Sequence, residues 1–203
     1  GISIFGTSGL FEPMSRQALV DTIRAEASIR RCSGAKNMLL TLGNYSESFV
    51  QEEMPFPLEK SIKCSNFIGD SLDIALENGF EGVLLVGHIG KMVKLGAGIM
   101  NTHSEFADGR IDVLVTCGVL ADMDVEVLKK IPLCATADSA LDLFREVGKM
   151  EKILEILAKK VDYYLNARVK GEIKVGAVIF SYKHKFAVKT KFADDLIKKI
   201  SEE

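Results

Sequence analysis

The sequence has 203 residues, 47% of them apolar, enough for a sizeable buried core and a stable globular protein. Its 26 Lys and Arg stand against 28 Asp and Glu, and the formal charge of −2 excludes the broad basic surface of a general nucleic-acid binder, leaving any anionic ligand to local positive charge. No apolar run approaches the roughly 20 residues that span a bilayer and no basic n-region precedes a signal-type stretch, so a cytoplasmic protein without nucleic-acid or membrane partners is expected.

The chain opens at Gly1 with no initiator Met, already in an apolar segment, and sequence upstream of it is expected. Ile2 to Phe5 reads as a first strand that empties into Gly6-Thr7-Ser8-Gly9, with Pro13 and Ser15 as the entry to a helix striped by Leu19, Val20 and Ile23. Met38 to Leu42 reads as a second strand, stopped at Gly43-Asn44, where Asn44 and Glu47 resemble a capping pair for a helix through about Glu53. Ile62 to Cys64 is a short strand candidate, followed by a helix from about Ile68 to Asn78 that Gly79 closes. Gly82 to Val86 is uniformly apolar, as a parallel strand covered on both faces should be, and it too empties into a glycine turn, Gly87-His88.

Beyond it the pattern is helical over about 110–120, 124–130, 138–147 and 149–168. The last of these carries Ile153, Leu157, Val161, Tyr164 and Leu165 on one side and Lys152, Glu155, Lys159 and Lys160 on the other. Ile173 to Ser181 reads as a strand, Tyr182 to Lys185 as a turn and Thr190 to Ile200 as a terminal helix. Strands alternating with helices predict an α/β fold, three-layered and Rossmann-like, with a mostly parallel sheet and helices on both faces. One domain over 1–203 is expected, with a strand-rich core over 1–88, a helical region over 89–168 and a strand-turn-helix over 169–203.

In such sheets ligands bind at the carboxyl ends of the strands, so the three glycine loops are expected to line one crevice. Gly6-Thr7-Ser8-Gly9 exposes backbone N–H groups and two hydroxyls, yet lacks the Lys of a P-loop and the spacing of GxGxxG, so a tight turn and an anion loop both stay open. Gly87 to Arg110 is more unusual. His88, Lys91, Lys94, Asn101, Thr102, His103, Ser104 and Arg110 crowd beside a buried strand, while Gly90, Gly96 and Gly98 argue against a long helix there. His88 and His103 have no third ligand at a customary spacing, so no metal site is expected. Ser8, His88 and Asp108 would make a hydrolase triad only on paper, since GxSxG is absent. The four cysteines, Cys32, Cys64, Cys117 and Cys134, lie far apart and are expected to be buried free thiols.

Three ordered strings carry a family resemblance. Gly1-Ile2-Ser3-Ile4-Phe5-Gly6-Thr7-Ser8-Gly9 with Glu12-Pro13-Met14-Ser15 is similar to a GTTG…EPMS segment. Cys64-Ser65-Asn66-Phe67-Ile68-Gly69 follows. Then come Leu85 to Lys91, Gly98 to Ser104 and Ala107-Asp108-Gly109-Arg110. Together they resemble the CbiD family over about 110 residues, with Phe5 and Ser8 standing where a smaller residue and a second Thr are usual. The resemblance implies that an amino-terminal lobe of the family is absent or truncated here. It also implies S-adenosylmethionine-dependent methylation of C1 of cobalt-precorrin-5B, giving cobalt-precorrin-6A in the oxygen-independent route to vitamin B12.

With that activity, Gly6, Thr7, Ser8, Gly9, Gly43 and Asn44 are expected to hold S-adenosylmethionine. Asn66, Lys91, Lys94, Asn101 and Arg110 would hold the carboxylates of a cobalt-corrinoid, and His88 and His103 would serve as base or orienting groups. Two other readings stand beside it: a phosphate- or nucleotide-binding α/β enzyme built on Gly6–Gly9, and a non-catalytic corrinoid-binding module. Whether the chain forms a homodimer is left open.

Overall fold

The computed structural model describes residues 15–203, so the expected strand at Ile2–Phe5 and the loop at Gly6–Gly9 lie outside the described residues. The described residues start with helix α1 (Arg16–Cys32), capped by Ser15, whose hydroxyl accepts a hydrogen bond from the Ala18 amide at 3.2 Å. Strand β1 (Asn37–Thr41), helix α2 (Asn44–Glu53), strand β2 (Ser61–Lys63), helix α3 (Ile68–Glu77) and strand β3 (Gly82–His88) follow. Residues 89–173 hold no strand of the sheet. They form helices α4 (Ile89–Leu95), α5 (Arg110–Leu120), α6 (Val125–Leu128), α7 (Ala137–Glu146) and α8 (Met150–Arg168). Strands β4 (Lys174–Ser181) and β5 (Phe186–Lys189) and helix α9 (Ala193–Glu202) complete the described chain.

The five strands lie in the order β2-β1-β3-β4-β5. Every pair is parallel except β4 with β5, which is antiparallel. The three central strands are apolar on both faces because both faces are covered. Met38, Leu40, Val83, Leu85, Val175 and Ala177 point into the larger cluster with α1, α3, α4, α5, α7 and α8. Leu39, Leu84, Val86, Val178 and Phe180 point into a smaller one with α2 and α9. Side chains alternate along a strand, so neighbouring residues of one run feed different cores. The connection from β1 out to β2 packs α2 on the small side, and the return from β2 across to β3 packs α3 on the large side. This is what right-handed crossovers require when the direction of travel reverses.

The sequence expectations for α2, α3, α5, α7, α8 and β4 match within a residue or two. Three differ. Asn44 does not cap α2: Gly43 takes that position without a side-chain bond, and Lys63 donates to both Asn44 Oδ1 (2.6 Å) and Glu47 Oε2 (2.7 Å) instead. Phe186–Lys189 is a strand, and α9 starts at Ala193 rather than Thr190. The Thr190 hydroxyl accepts from the Ala177 amide at 2.8 Å while its own amide donates to the Ala177 carbonyl at 2.9 Å, prolonging the sheet contact past β5. Finally, all four cysteines are free, but only Cys64 and Cys117 are buried; Cys32 is exposed and Cys134 partly so.

Candidate functional site

The strand order makes β1 and β3 neighbours whose chains leave in opposite directions, β1 toward β2 and β3 toward β4. Ligands of open α/β sheets bind at such a switch point, outside the carboxyl ends of the strands. Here that place is a cavity of about 300 Å³ lined by Leu42, Gly43, Asn44 and Tyr45 from the β1 side and by His88, Gly90 and Lys91 from the β3 side. Two of the three glycine loops expected to converge therefore do meet.

Gly43 has φ of +136°, a backbone conformation open to glycine, and it leaves the loop without a side chain at the cavity wall. The Lys91 amine reaches across from α4 and donates to the Leu42 carbonyl at 3.0 Å, tying the two strand ends together. Burial depresses the Lys91 pKa. Beneath it the buried Cys64 thiol donates to the Thr41 carbonyl at 3.4 Å, and desolvation pushes its pKa up to about 12 although the Lys91 ammonium opposes the shift. This thiol is a packing group, not a nucleophile.

His88 caps α4, its Nδ1 accepting from the Gly90 amide at 3.2 Å. That bond assigns the ring proton of neutral His88 to Nε2. Burial lowers the His88 pKa, opposed by the Asp138 carboxylate, so the ring at neutral pH is an uncharged donor through Nε2.

The rest of the cationic segment lies elsewhere. Asn66, Asn101 and His103 line a second cavity of about 170 Å³ with Arg16, Glu105 and Phe106. The two loops that form it are stitched together: Thr102 Oγ1 donates to Asn66 Oδ1 at 3.0 Å, the Thr102 amide to the Asn66 carbonyl at 3.1 Å, and Phe67 and Asn101 form an isolated bridge. His103 Nδ1 accepts from the Glu105 amide at 3.2 Å, and its side chain is half exposed. Lys94 is buried, its amine donating to the carbonyls of Thr102 (3.1 Å) and Ala107 (2.9 Å), so its charge holds the loop between α4 and α5. Arg110 forks onto Asp108 through two bonds of 2.5 and 2.7 Å, which hold the Asp108 carboxyl at about 2. The segment that looked like one cationic surface is thus two clefts plus two internally satisfied cations. Among the described residues, no three His, Cys, Asp or Glu side chains are placed to hold a metal ion.

Two features escape a reading by motif. A chain of aromatic rings, Tyr45, His88, Phe180, Phe49 and Tyr182, runs along the carboxyl edge of β1, β3 and β4. Its members come from three separate stretches; His88 is itself marked by the sequence and Tyr45 directly follows Gly43-Asn44, but Phe49, Phe180 and Tyr182 carry no such mark. The other is His184 in the β4–β5 turn. Its buried ring stands 3.5 Å from Asp138 and 3.9 Å from Asp142, and neither ring nitrogen has a hydrogen-bond partner among the described residues. Arg145, from the same helix as Asp142, donates to the His184 carbonyl at 2.9 Å and holds the turn onto α7.

Residues 101–191 match the model of the CbiD C-terminal domain. Over 89% of its length the chain is 35% identical to a protein of Ruminiclostridium cellulolyticum named cobalt-precorrin-5B C(1)-methyltransferase, covering 47% of that relative. Proteins of the same name from Desulfitobacterium hafniense and Methanocaldococcus jannaschii are 38% and 34% identical over 87% and 90% of the chain, covering 45% and 50% of their own lengths. The chain therefore spans about half the length of the curated relatives it matches. No solved structure matches. Residues 101–191 thus match the CbiD C-terminal domain and nearly nine-tenths of the chain aligns to these relatives, so the chain is similar to the CbiD family over most of its length.

Proposed function

We propose that this chain is the part of a cytoplasmic cobalt-precorrin-5B C1-methyltransferase that binds the methyl donor, S-adenosylmethionine, at the β1/β3 switch point and presents it to the corrin precursor. The observation that carries the reading is the meeting of Gly43, Asn44, His88 and Lys91 in one cavity at the place where α/β sheets bind ligands. The strand order and the two separate cores support a three-layer, Rossmann-like description of the fold.

The cavity's groups suit the donor. Gly43 lets its backbone come close to a ligand, and the Lys91 ammonium at the cavity wall suits an amino-acid carboxylate. His88 offers an Nε2–H donor and no competing positive charge, which suits a sulfonium. When bound, S-adenosylmethionine supplies an electrophilic methyl carbon. The new bond forms at C1 of the macrocycle as the carbon–sulfur bond breaks and S-adenosylhomocysteine leaves. No protein nucleophile is needed, so the chain's contribution is alignment, from which proximity alone can supply several kcal/mol, of the roughly 7–11 seen in well-oriented systems. Asn66, Asn101 and His103, in the second cleft, are assigned to the macrocycle's acetate and propionate groups, whereas Arg110, its guanidinium forked onto Asp108, is not assigned to them. Gly6, Thr7, Ser8 and Gly9 are assigned with Gly43 and Asn44 to the donor.

The test is methyl transfer by the intact protein from methyl-labelled donor to cobalt-precorrin-5B. The wild type should add one methyl group, and Lys91→Ala should lower kcat/KM by at least about ten-fold, equivalent to about 1.4 kcal/mol. Transfer by Lys91→Ala at the wild-type rate would remove the donor from this cavity.

A further inference from the structure

The aromatic chain at the carboxyl edge of the sheet is not explained by packing alone. Phe49 and Phe180 belong to the small core and stack on each other with centroids 4.1 Å apart. Phe180 in turn meets the His88 ring edge-to-face at 5.6 Å, and the Gly90 amide fixes the same ring at Nδ1. His88 is therefore held from two sides. Tyr45 is the opposite case: it faces His88 across the cavity at 6.0 Å, with the planes tilted by 39°, and it is 72% exposed. Other large apolar side chains, Tyr163 and Leu133 among them, are comparably exposed, so what sets Tyr45 apart is its place on the cavity wall opposite a fixed ring.

We propose that His88 and Tyr45 are the fixed and the adjustable jaw of a clamp for a planar conjugated ring, and that the ring it takes is the adenine of the methyl donor. This rests on the donor occupying the switch-point cavity. Two rings grip a third when their centroids stand about 7 Å apart, twice the ordinary contact distance of about 3.5 Å. From the observed 6.0 Å and 39° tilt, the Tyr45 ring must move out by about 1 Å and turn parallel to His88, which its exposed side chain can do by rotating about its own bonds. The other planar candidate is the tetrapyrrole. A cavity of about 300 Å³ sits at the small end of ligand pockets and takes a nucleoside, not a macrocycle with its side arms. The clamp also gives His88 a role that its neutral, Nδ1-tied ring suits better than proton abstraction: an uncharged, rigid stacking face.

The sequence contains no Trp, so Tyr45→Trp introduces a single indole at the jaw. Titration of this variant with S-adenosylhomocysteine should change its fluorescence saturably, adenosine should compete, and homocysteine should not. By calorimetry, Tyr45→Ala should weaken S-adenosylhomocysteine binding by about ten-fold or more, the scale of base–aromatic stacking, while Tyr45→Phe keeps the ring and the affinity. Tyr45 is exposed, so these variants should fold as the parent does. If the parent binds S-adenosylhomocysteine and Tyr45→Ala binds it equally well, the clamp is wrong although the donor cavity stands. A signal displaced by a cobalt corrinoid such as cobinamide but not by adenosine would overturn the choice of adenine. Absence of S-adenosylhomocysteine binding by the parent would sink the donor site itself.

Discussion

At the scale of single residues, the sequence shows which side chains carry charge, but only their surroundings decide whether the charge is available. Lys91 and Lys94 are one helical turn apart on α4 and look equivalent in sequence. Lys91 lies at a cavity wall, whereas Lys94 is buried with two carbonyls on its amine. Nothing local distinguishes them, because the loop that swallows Lys94 is contributed by residues 101–107. Arg110, expected to meet substrate carboxylates, instead forks onto Asp108 two positions away, a pair worth little energetically that nonetheless occupies the guanidinium. The cysteines divide in the same way. Burial raises the pKa of Cys64 to about 12 and that of Cys117 to about 11, so the reactive thiolate is scarce at both. Iodoacetamide at pH 8 should modify Cys32 promptly and Cys134 more slowly in the folded chain, and Cys64 and Cys117 only after denaturation. Peptide mass spectrometry at timed quench points checks this, and early labelling of Cys64 would mean that the core around β1 and β2 opens to solvent.

At the scale of elements, long periodic stretches are legible, and of the two short edge strands β2 is read within a residue while β5 is not. Helix α8 follows from its repeat of Ile153, Leu157, Val161 and Leu165, all buried. Strand β3 follows from an apolar run that only a doubly covered strand sustains. Strand β5 has four residues at the sheet edge, where one side of the ladder and part of each face meet water, so its composition carries almost no signal. Its register is fixed from outside by Thr190, whose buried hydroxyl takes the Ala177 amide of β4 at 2.8 Å. Thr190→Val keeps the shape but leaves that amide without its partner. The expected loss is about 1–3 kcal/mol, read as a lower urea midpoint at unchanged m-value. Thr190→Ser restores the hydroxyl and should recover most of it. An unchanged midpoint in the Val variant would show that β5 is held by its ladder bonds alone.

At the scale of the whole molecule, topology converts these local features into a site. Gly43 and His88 are 45 positions apart, each in a glycine-bearing turn after a strand and each expected to play a different part. They become neighbours because β1 pairs with β3 while β2 lies outside. The same topology puts Asn66 and Asn101 in a different cleft, which no linear reading of the Gly87–Arg110 segment separates. The separation has a thermodynamic consequence. A ligand that binds only the folded chain raises its stability by RT ln(1 + [L]/Kd), about 2.7 kcal/mol at a hundred times Kd, and for a chain of this size that raises Tm by roughly 5–10 °C. S-adenosylhomocysteine at that excess should produce such a rise in the parent and in Asn66→Ala, each measured against its own ligand-free Tm, since Asn66 lines the other cleft. Lys91→Ala, which removes a cation from the donor cavity, should show a rise at least a few degrees smaller at the same ligand concentration. Loss of the rise in Asn66→Ala with retention in Lys91→Ala would exchange the two clefts, placing the donor against Asn66 and Asn101 and leaving the β1/β3 switch point to the macrocycle's carboxylates.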